Sequence, residues 1–387
     1  METRQYIRIL LSSIIIFIFS VQLSSAQSVT VNAMPFLMEH SSMRSKALGY
    51  ATVAMSGYPG AAEINPATIG KDSVIQGSTY FLDKKRALFS RDYGYHLKLF
   101  QPNIDFKKGN FGVAAYLSYL NFGKQTLTDE KGNFISTEKS YEQSISLAGS
   151  YEITPHLSAG LGMHYLTSKL GVSNIQVGNY DSKGVHSFAI DLGLLYKRSY
   201  VLNSVILKPS FGWSLTNFGS VLHYTSIDSD PLPMEMQGGL GLLINSKDEQ
   251  NQHPVFSIGL YTSLSHILAR KDENGHSYGP FSSLFKGWGP YQDSNYYSQN
   301  SRVSFTDQFS THYGIELTML DRISLRFGYI NSARHSHGYN ETNYGIGLNF
   351  KYVNIDFTMS SYGNGLNTSN GLLQITLRYP LNSNLFK

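Results

Sequence analysis

The chain has 387 residues, of which 41% are hydrophobic, 15% charged and 13% aromatic, with 27 Tyr, 22 Phe, 35 Gly and no Cys. So many aromatic residues and so few charges exclude a disordered polymer. A net charge of +4, with no concentrated basic patch, excludes a nucleic-acid partner. The length would accommodate two or three soluble domains or one large β-barrel.

Residues 1–26 read as a secretory signal peptide. Arg4 and Arg8 form a positive start, 9–19 an apolar stretch too short to span a bilayer, and Ser24-Ser25-Ala26 a small-residue cleavage site. The mature chain is expected to begin at Gln27, and without Cys neither a lipid anchor nor a disulfide is available to it. Residues 27–72, rich in small residues around 47–54, precede any strand pattern and are expected to fill the bore of a barrel as a hatch. Irregular backbone cannot face lipid, so such a segment must be buried in protein.

From residue 73 the pattern is alternation of period two. Leu157, Ala159, Leu161, Met163 and Tyr165 share one face, with Ser158, Gly160, Gly162 and His164 on the other. The same alternation marks fourteen expected strands: 74–81, 90–99, 111–120, 145–151, 157–165, 188–196, 205–215, 236–244, 256–264, 313–319, 323–329, 344–350, 353–359 and 373–379. Connections after odd strands are mostly long (121–140, 169–184, 217–233, 267–310, 331–341) and those after even strands mostly short (152–156, 198–203, 320–321, 351–352). Long loops on one side, short turns on the other and an even strand count indicate an all-β, transmembrane antiparallel barrel of the outer membrane, with strands at 73–379, a tail at 380–387 and periplasmic termini. A soluble sandwich has no reason to sort its loops by side.

Mid-strand charges test the same idea, because a charge facing lipid is costly and should fall on the polar parity. Asp191, Glu316, Arg326, Asp356 and Arg378 all do, forming a candidate polar network in the lumen. Glu316 and Arg326 lie on consecutive strands and are placed to pair. Glycines on the inward parity (Gly160, Gly162, Gly239, Gly241, Gly345, Gly347) permit sharp curvature or close approach of the hatch.

Several motifs, in order, resemble one family. Pro35-Phe36-Leu37, Ser42 to Gly49 and Asn65-Pro66-Ala67 are similar to the hatch of FadL-like barrels, specifically the PorV/PorQ family of the type IX secretion system. Thr216-Asn217-Phe218-Gly219 with Pro231-Leu232-Pro233, Gly314-Ile315-Glu316, Leu325 to Tyr329, Gly345 to Leu348, Ile355-Asp356-Phe357 and Leu377-Arg378-Tyr379 continue the resemblance. It singles out Arg44, Asn65, Pro66 and Ala67 as hatch residues. The resemblance implies a non-enzymatic, cofactor-free protein in outer-membrane lipid that binds the C-terminal signal domains of secreted cargo. It would pass them from the secretion translocon to a surface attachment complex.

The loop at 267–310 carries Tyr278, Phe281, Phe285, Trp288, Tyr291, Tyr296 and Tyr297 among small polar residues, a composition suited either to partner binding or to a lid over the barrel mouth. The alternative function is a FadL-like channel for hydrophobic small molecules. No chemistry motif competes with these two. Gly275-His276-Ser277-Tyr278-Gly279 matches a hydrolase elbow in spelling but lacks the flanking strand and helix. His335-Ser336-His337 lacks a third metal ligand, and Asp228-Ser229-Asp230 lacks the Gly and Glu of a calcium loop.

Overall fold

A computed structural model describes residues 32–380 apart from 71–73, 86–95, 129–130, 132, 171–175, 178–179, 182–183, 225–228, 247–253, 273–275, 290, 294–300, 333–339, 363–366 and 369–370. The expected signal peptide and the tail at 381–387 lie outside the described residues.

Fourteen antiparallel strands form the wall: β1 Val74–Lys85, β2 His96–Lys108, β3 Phe111–Thr128, β4 Phe134–Thr154, β5 Leu157–Lys169, β6 Val185–Lys197, β7 Val205–Gly219, β8 Glu235–Ser246, β9 Phe256–Ile267, β10 Phe309–Met319, β11 Ile323–Asn331, β12 Glu341–Asn349, β13 Val353–Tyr362 and β14 Leu372–Pro380. Each pairs with its chain neighbours, and β1 also pairs with β14 from Val74↔Pro380 to Tyr80↔Gln374, which closes the ring. Closure pairs the two strands that would otherwise be edges, the condition for a sheet to stand in hydrocarbon.

Burial alternates as the parity requires. On β6, Ser187, Ala189, Asp191 and Gly193 are buried, whereas Phe188, Leu192, Leu194 and Tyr196 are exposed. Ile315, Leu317, Leu325, Phe327, Ile346, Ile375 and Leu377 continue the outward apolar belt, and Ser146, Gln237, Ser324, Asn343, Thr358 and Gln374 the polar interior. None of the described helices is long and apolar enough to cross a membrane. The closed sheet with its outward apolar belt and polar interior is that of an outer-membrane β-barrel, which crosses with strands.

Three expected boundaries shift. The segment 121–140, expected as a loop, continues the β3–β4 ladder from Gly123↔Ser140 to Thr128↔Phe134. Above the bilayer both faces of a hairpin meet water, so the apolar signal fades while β-branched Thr and Ile keep the backbone extended. The second strand, expected at 90–99, runs on to Lys108 through Pro102, a residue that argues against an inner strand; 90–95 lie outside the described residues. Its ladder to β3 is interrupted there, between Phe100↔Tyr119 and Asn103↔Tyr116. The long connection at 268–308 is not all irregular either. It holds a helix, α2 Pro280–Lys286, and a small hairpin of Tyr291–Asp293 with Ser301–Val303.

Candidate functional site

Residues 32–70 run through the bore. The described chain starts beside the long-loop end, where the Ala33 amide donates to Pro231 O (2.9 Å), and descends to Ile69 beside Gly112 near the short-turn end. Its only α-helix, α1 Met43–Ala47, is one turn capped by Ser42; the remainder is 3-10 turns and irregular chain. Buried irregular backbone needs partners, and wall side chains supply them. Gln374 accepts from the Met43 amide (3.0 Å) and donates to Ser41 O (2.8 Å). Thr358 donates to Met43 O (2.9 Å), Gln237 to Tyr50 O (3.1 Å), and His312 Nδ1 stands 2.8 Å from Gly49 O.

The wall also makes room. A Cβ on Gly160 would collide with the Pro66 carbonyl carbon and the Ala67 amide, one on Gly193 with Asn65 Oδ1, one on Gly212 with Val53 O, and one on Gly345 with the Ala47 methyl. Gly162, Gly241 and Gly347 instead clear Asp191, Ser210 and the Arg326 guanidinium. Asn65, Pro66 and Ala67 form one seat: the Asn65 side chain accepts from the Ala67 amide (3.0 Å) and donates to Val53 O (2.8 Å) and to Leu194 O of β6 (3.0 Å).

Four of the five charged lumen residues fall in two separate arrays, and Arg378 stands apart from both. In the first, Arg44 of α1 grips Glu316 through Nε (3.0 Å) and Nη2 (2.6 Å). Arg326, opposite Glu316 in register, donates Nε to Glu316 Oε1 (2.6 Å) and Nη1 to Asp356 Oδ1 (2.5 Å). Two guanidinium groups thus alternate with two carboxylates, and one of the four comes from the hatch. Asp191 belongs to the second array, where Oδ2 lies 2.6 Å from His164 Nε2 and Oδ1 accepts from the Asn217 amide (2.7 Å). His164 Nδ1 is 2.7 Å from Ser146 Oγ. The order is that of a hydrolase relay, but Ser146 is 1% exposed, so no substrate atom reaches it. Arg378 shares the inward parity at the short-turn end, opposite Gln76, and is half-buried.

Sequence reading missed Glu63, a carboxyl on a turn of the hatch that accepts from the Ser41 amide (2.6 Å) and the Ser41 hydroxyl. Burial raises its pKa to about 7, opposed by the Ser41 hydrogen bonds and aided by nearby Asp105. Between an unfolded value near 4.5 and about 7 the docked hatch binds the extra proton, so docking weakens as pH rises through that window. Hydrogen exchange of hatch amides should show protection falling from pH 5 to pH 8 by on the order of 3 kcal/mol, and Glu63→Gln should flatten the slope.

At the long-loop end the lumen is lined differently. Leu120, Leu166, Val185, Ala189, Leu222, Leu232 and Leu372 form an apolar collar, and the head of the hatch (Ala33, Met34, Phe36, Met43) seats in it. Above the wall, α2 is held by Leu268, Leu284 and Trp288 against Leu215 and Met234, and Trp288 Nε1 donates to Leu284 O (2.7 Å). Buried Arg270 ties the long connection down through Gly287 O (3.2 Å) and Gln308 Oε1 (2.9 Å), a clamp without a sequence motif to announce it. Phe281 and Phe285 remain 70% and 81% exposed, and Tyr278 lies under Lys286 Nζ at 4.6 Å. Tyr291 starts the small hairpin; Tyr296, Tyr297, Gly275, Asp228 and the His335–His337 pair lie outside the described residues.

The closed wall of fourteen strands, the chain segment packed inside it and the sorted loops define the class: an antiparallel transmembrane β-barrel of the outer membrane. No family model and no curated protein matches the chain. Among solved structures it is similar to the toluene transporter TbuX of Ralstonia pickettii (13% identity, 87% of this chain and 96% of that one, TM-score 0.41). It is also similar to the toluene transporter TodX of Pseudomonas putida (13%, 92% and 98%, 0.39) and to a FadL homologue of Pseudomonas aeruginosa (10%, 93% and 100%, 0.39).

Proposed function

We propose that the protein admits small hydrophobic molecules across the outer membrane, with the hatch as its gate. The observation that carries this reading is the apolar collar, the largest apolar cluster among the described residues. Lower in the bore the apolar wall contacts are smaller, around Tyr261 and around Ala114, Tyr116 and Ala148, whereas at the long-loop end seven aliphatic side chains gather around the head of the hatch. A lipophilic molecule gains about 25 cal/mol per Å² on entering such a ring. The bore below is filled by residues 43–70, and the break in the β2–β3 ladder at Pro102 is a weak place in the wall through which a guest could leave sideways. Cells carrying the protein should take up N-phenyl-1-naphthylamine several-fold faster than cells without it; equal rates would overturn the reading.

A second reading is a component of the type IX secretion system that binds cargo C-terminal domains and works with the translocon and the attachment complex. It is favoured by Phe281 and Phe285, two exposed aromatic side chains on a helix whose other side is anchored to the barrel. Phe281→Ala with Phe285→Ala separates the readings. Loss of co-purifying cargo with unchanged probe uptake supports secretion, and retention of cargo removes it.

A further inference from the structure

Beside the apolar collar stands a carboxyl group that the fold satisfies only in part. Glu142 stands directly between Leu120 of β3 and Ser168 of β5 in the ladder, on the inward face, and is 1% exposed. Ser168 donates to its Oε1 (3.1 Å), and Tyr224, which packs on the collar, donates in turn to Ser168 (2.9 Å). Its Oε2 is buried with no partner. Next to collar residue Ala33, Asn32 is 7% exposed, and both the oxygen and the nitrogen of its side-chain amide are buried without a partner. Buried polar atoms are nearly always paired, so orphans on two different elements bordering one apolar ring call for a specific explanation.

The geometry points to a guest that is an apolar molecule carrying a hydroxyl group, an alcohol or a phenol, whose body fills the collar in competition with Met34 and Phe36 and whose hydroxyl meets Glu142. This rests on the channel reading and narrows its substrate class. A bare hydrocarbon would leave Oε2 as it is. A carboxylic acid would set a second carboxyl beside Glu142 in a water-poor site, where like charges repel strongly. A hydroxyl both donates and accepts, so it satisfies Glu142 whether or not that carboxyl is protonated.

Three naphthalene probes of nearly equal size separate these cases, with the full-length barrel in nanodiscs, probe fluorescence as readout and empty nanodiscs subtracted. 1-Naphthol should bind about tenfold more tightly than naphthalene, and 1-naphthoate most weakly. Glu142→Met should abolish the advantage of 1-naphthol while naphthalene still binds, and Glu142→Gln, which keeps both hydrogen-bonding capacities, should retain most of it. Equal binding of 1-naphthol and naphthalene, or an advantage that survives Glu142→Met, would overturn the inference and leave the channel reading standing. Failure of all three probes to bind would overturn both. If Glu142→Met does not assemble, the ranking of the three probes on the unaltered protein decides.

Discussion

Gly193→Leu is expected to expel the lower half of the hatch from the bore. The Gly193 Cα faces Asn65 Oδ1 and Pro66 Cδ so closely that even a methyl group has no place, and neither obstacle is a free side-chain end. Asn65 is fixed by three hydrogen bonds and Pro66 by its ring, so the wall and the hatch cannot both keep their positions. Overpacking of this kind costs roughly 1 to 3 kcal/mol where neighbours can shift, and more where the obstacle is rigid. Gly160→Leu, which would strike the Pro66 and Ala67 backbone, should act the same way. Gly238→Leu is the control, because nothing lies within 4 Å of the added carbon. The measurement is planar-bilayer conductance together with protease sensitivity of 32–70. Gly193→Leu and Gly160→Leu should raise both while heat-modifiable migration shows an intact barrel. A closed, protected hatch in Gly193→Leu would mean that the seat is not where the structure puts it.

Glu316→Gln is expected to cost about 3 to 5 kcal/mol, the range for removing one partner from a buried charge cluster. Among the described residues Glu316 is the one carboxylate that pairs with both guanidinium groups, so its loss leaves Arg44 without its described carboxylate and Arg326 with Asp356. Arg44→Met should cost less. Arg44 is partly exposed, and its removal leaves Glu316 paired with Arg326. The two variants should also differ in kind. Urea unfolding in micelles should report a large loss for Glu316→Gln, whereas Arg44→Met should chiefly accelerate hydrogen exchange in α1. Equal losses in the two would show that the hatch and the wall unfold as one unit.

The strand parity was legible because side chains on a strand alternate with period two, and a lipid belt leaves that alternation uninterrupted for eight or more residues. Glu316 and Arg326 were legible as a pair because the short turn at 320–322 sets their register. The same local logic failed at Pro102 and at 121–140, where a ladder already held by neighbouring strands tolerates a residue or a polar stretch that would not start one. Phe281 and Phe285 could be listed as aromatic, but which of the aromatic residues of 267–310 would be covered was settled only by where Trp288 and Leu284 found the rim.

By itself, then, the residue order determined which atoms face lipid and which face the bore, because that choice depends only on neighbours two positions apart. The tertiary structure alone decided who meets whom inside. Arg44 reaches Glu316 across 272 positions of chain, and Asn65 settles on Gly193. Glu142 keeps one oxygen partnerless beside Leu120 of the apolar collar. Such meetings follow from the closure of β1 on β14, which wraps distant strands around one buried segment, and no local period encodes them.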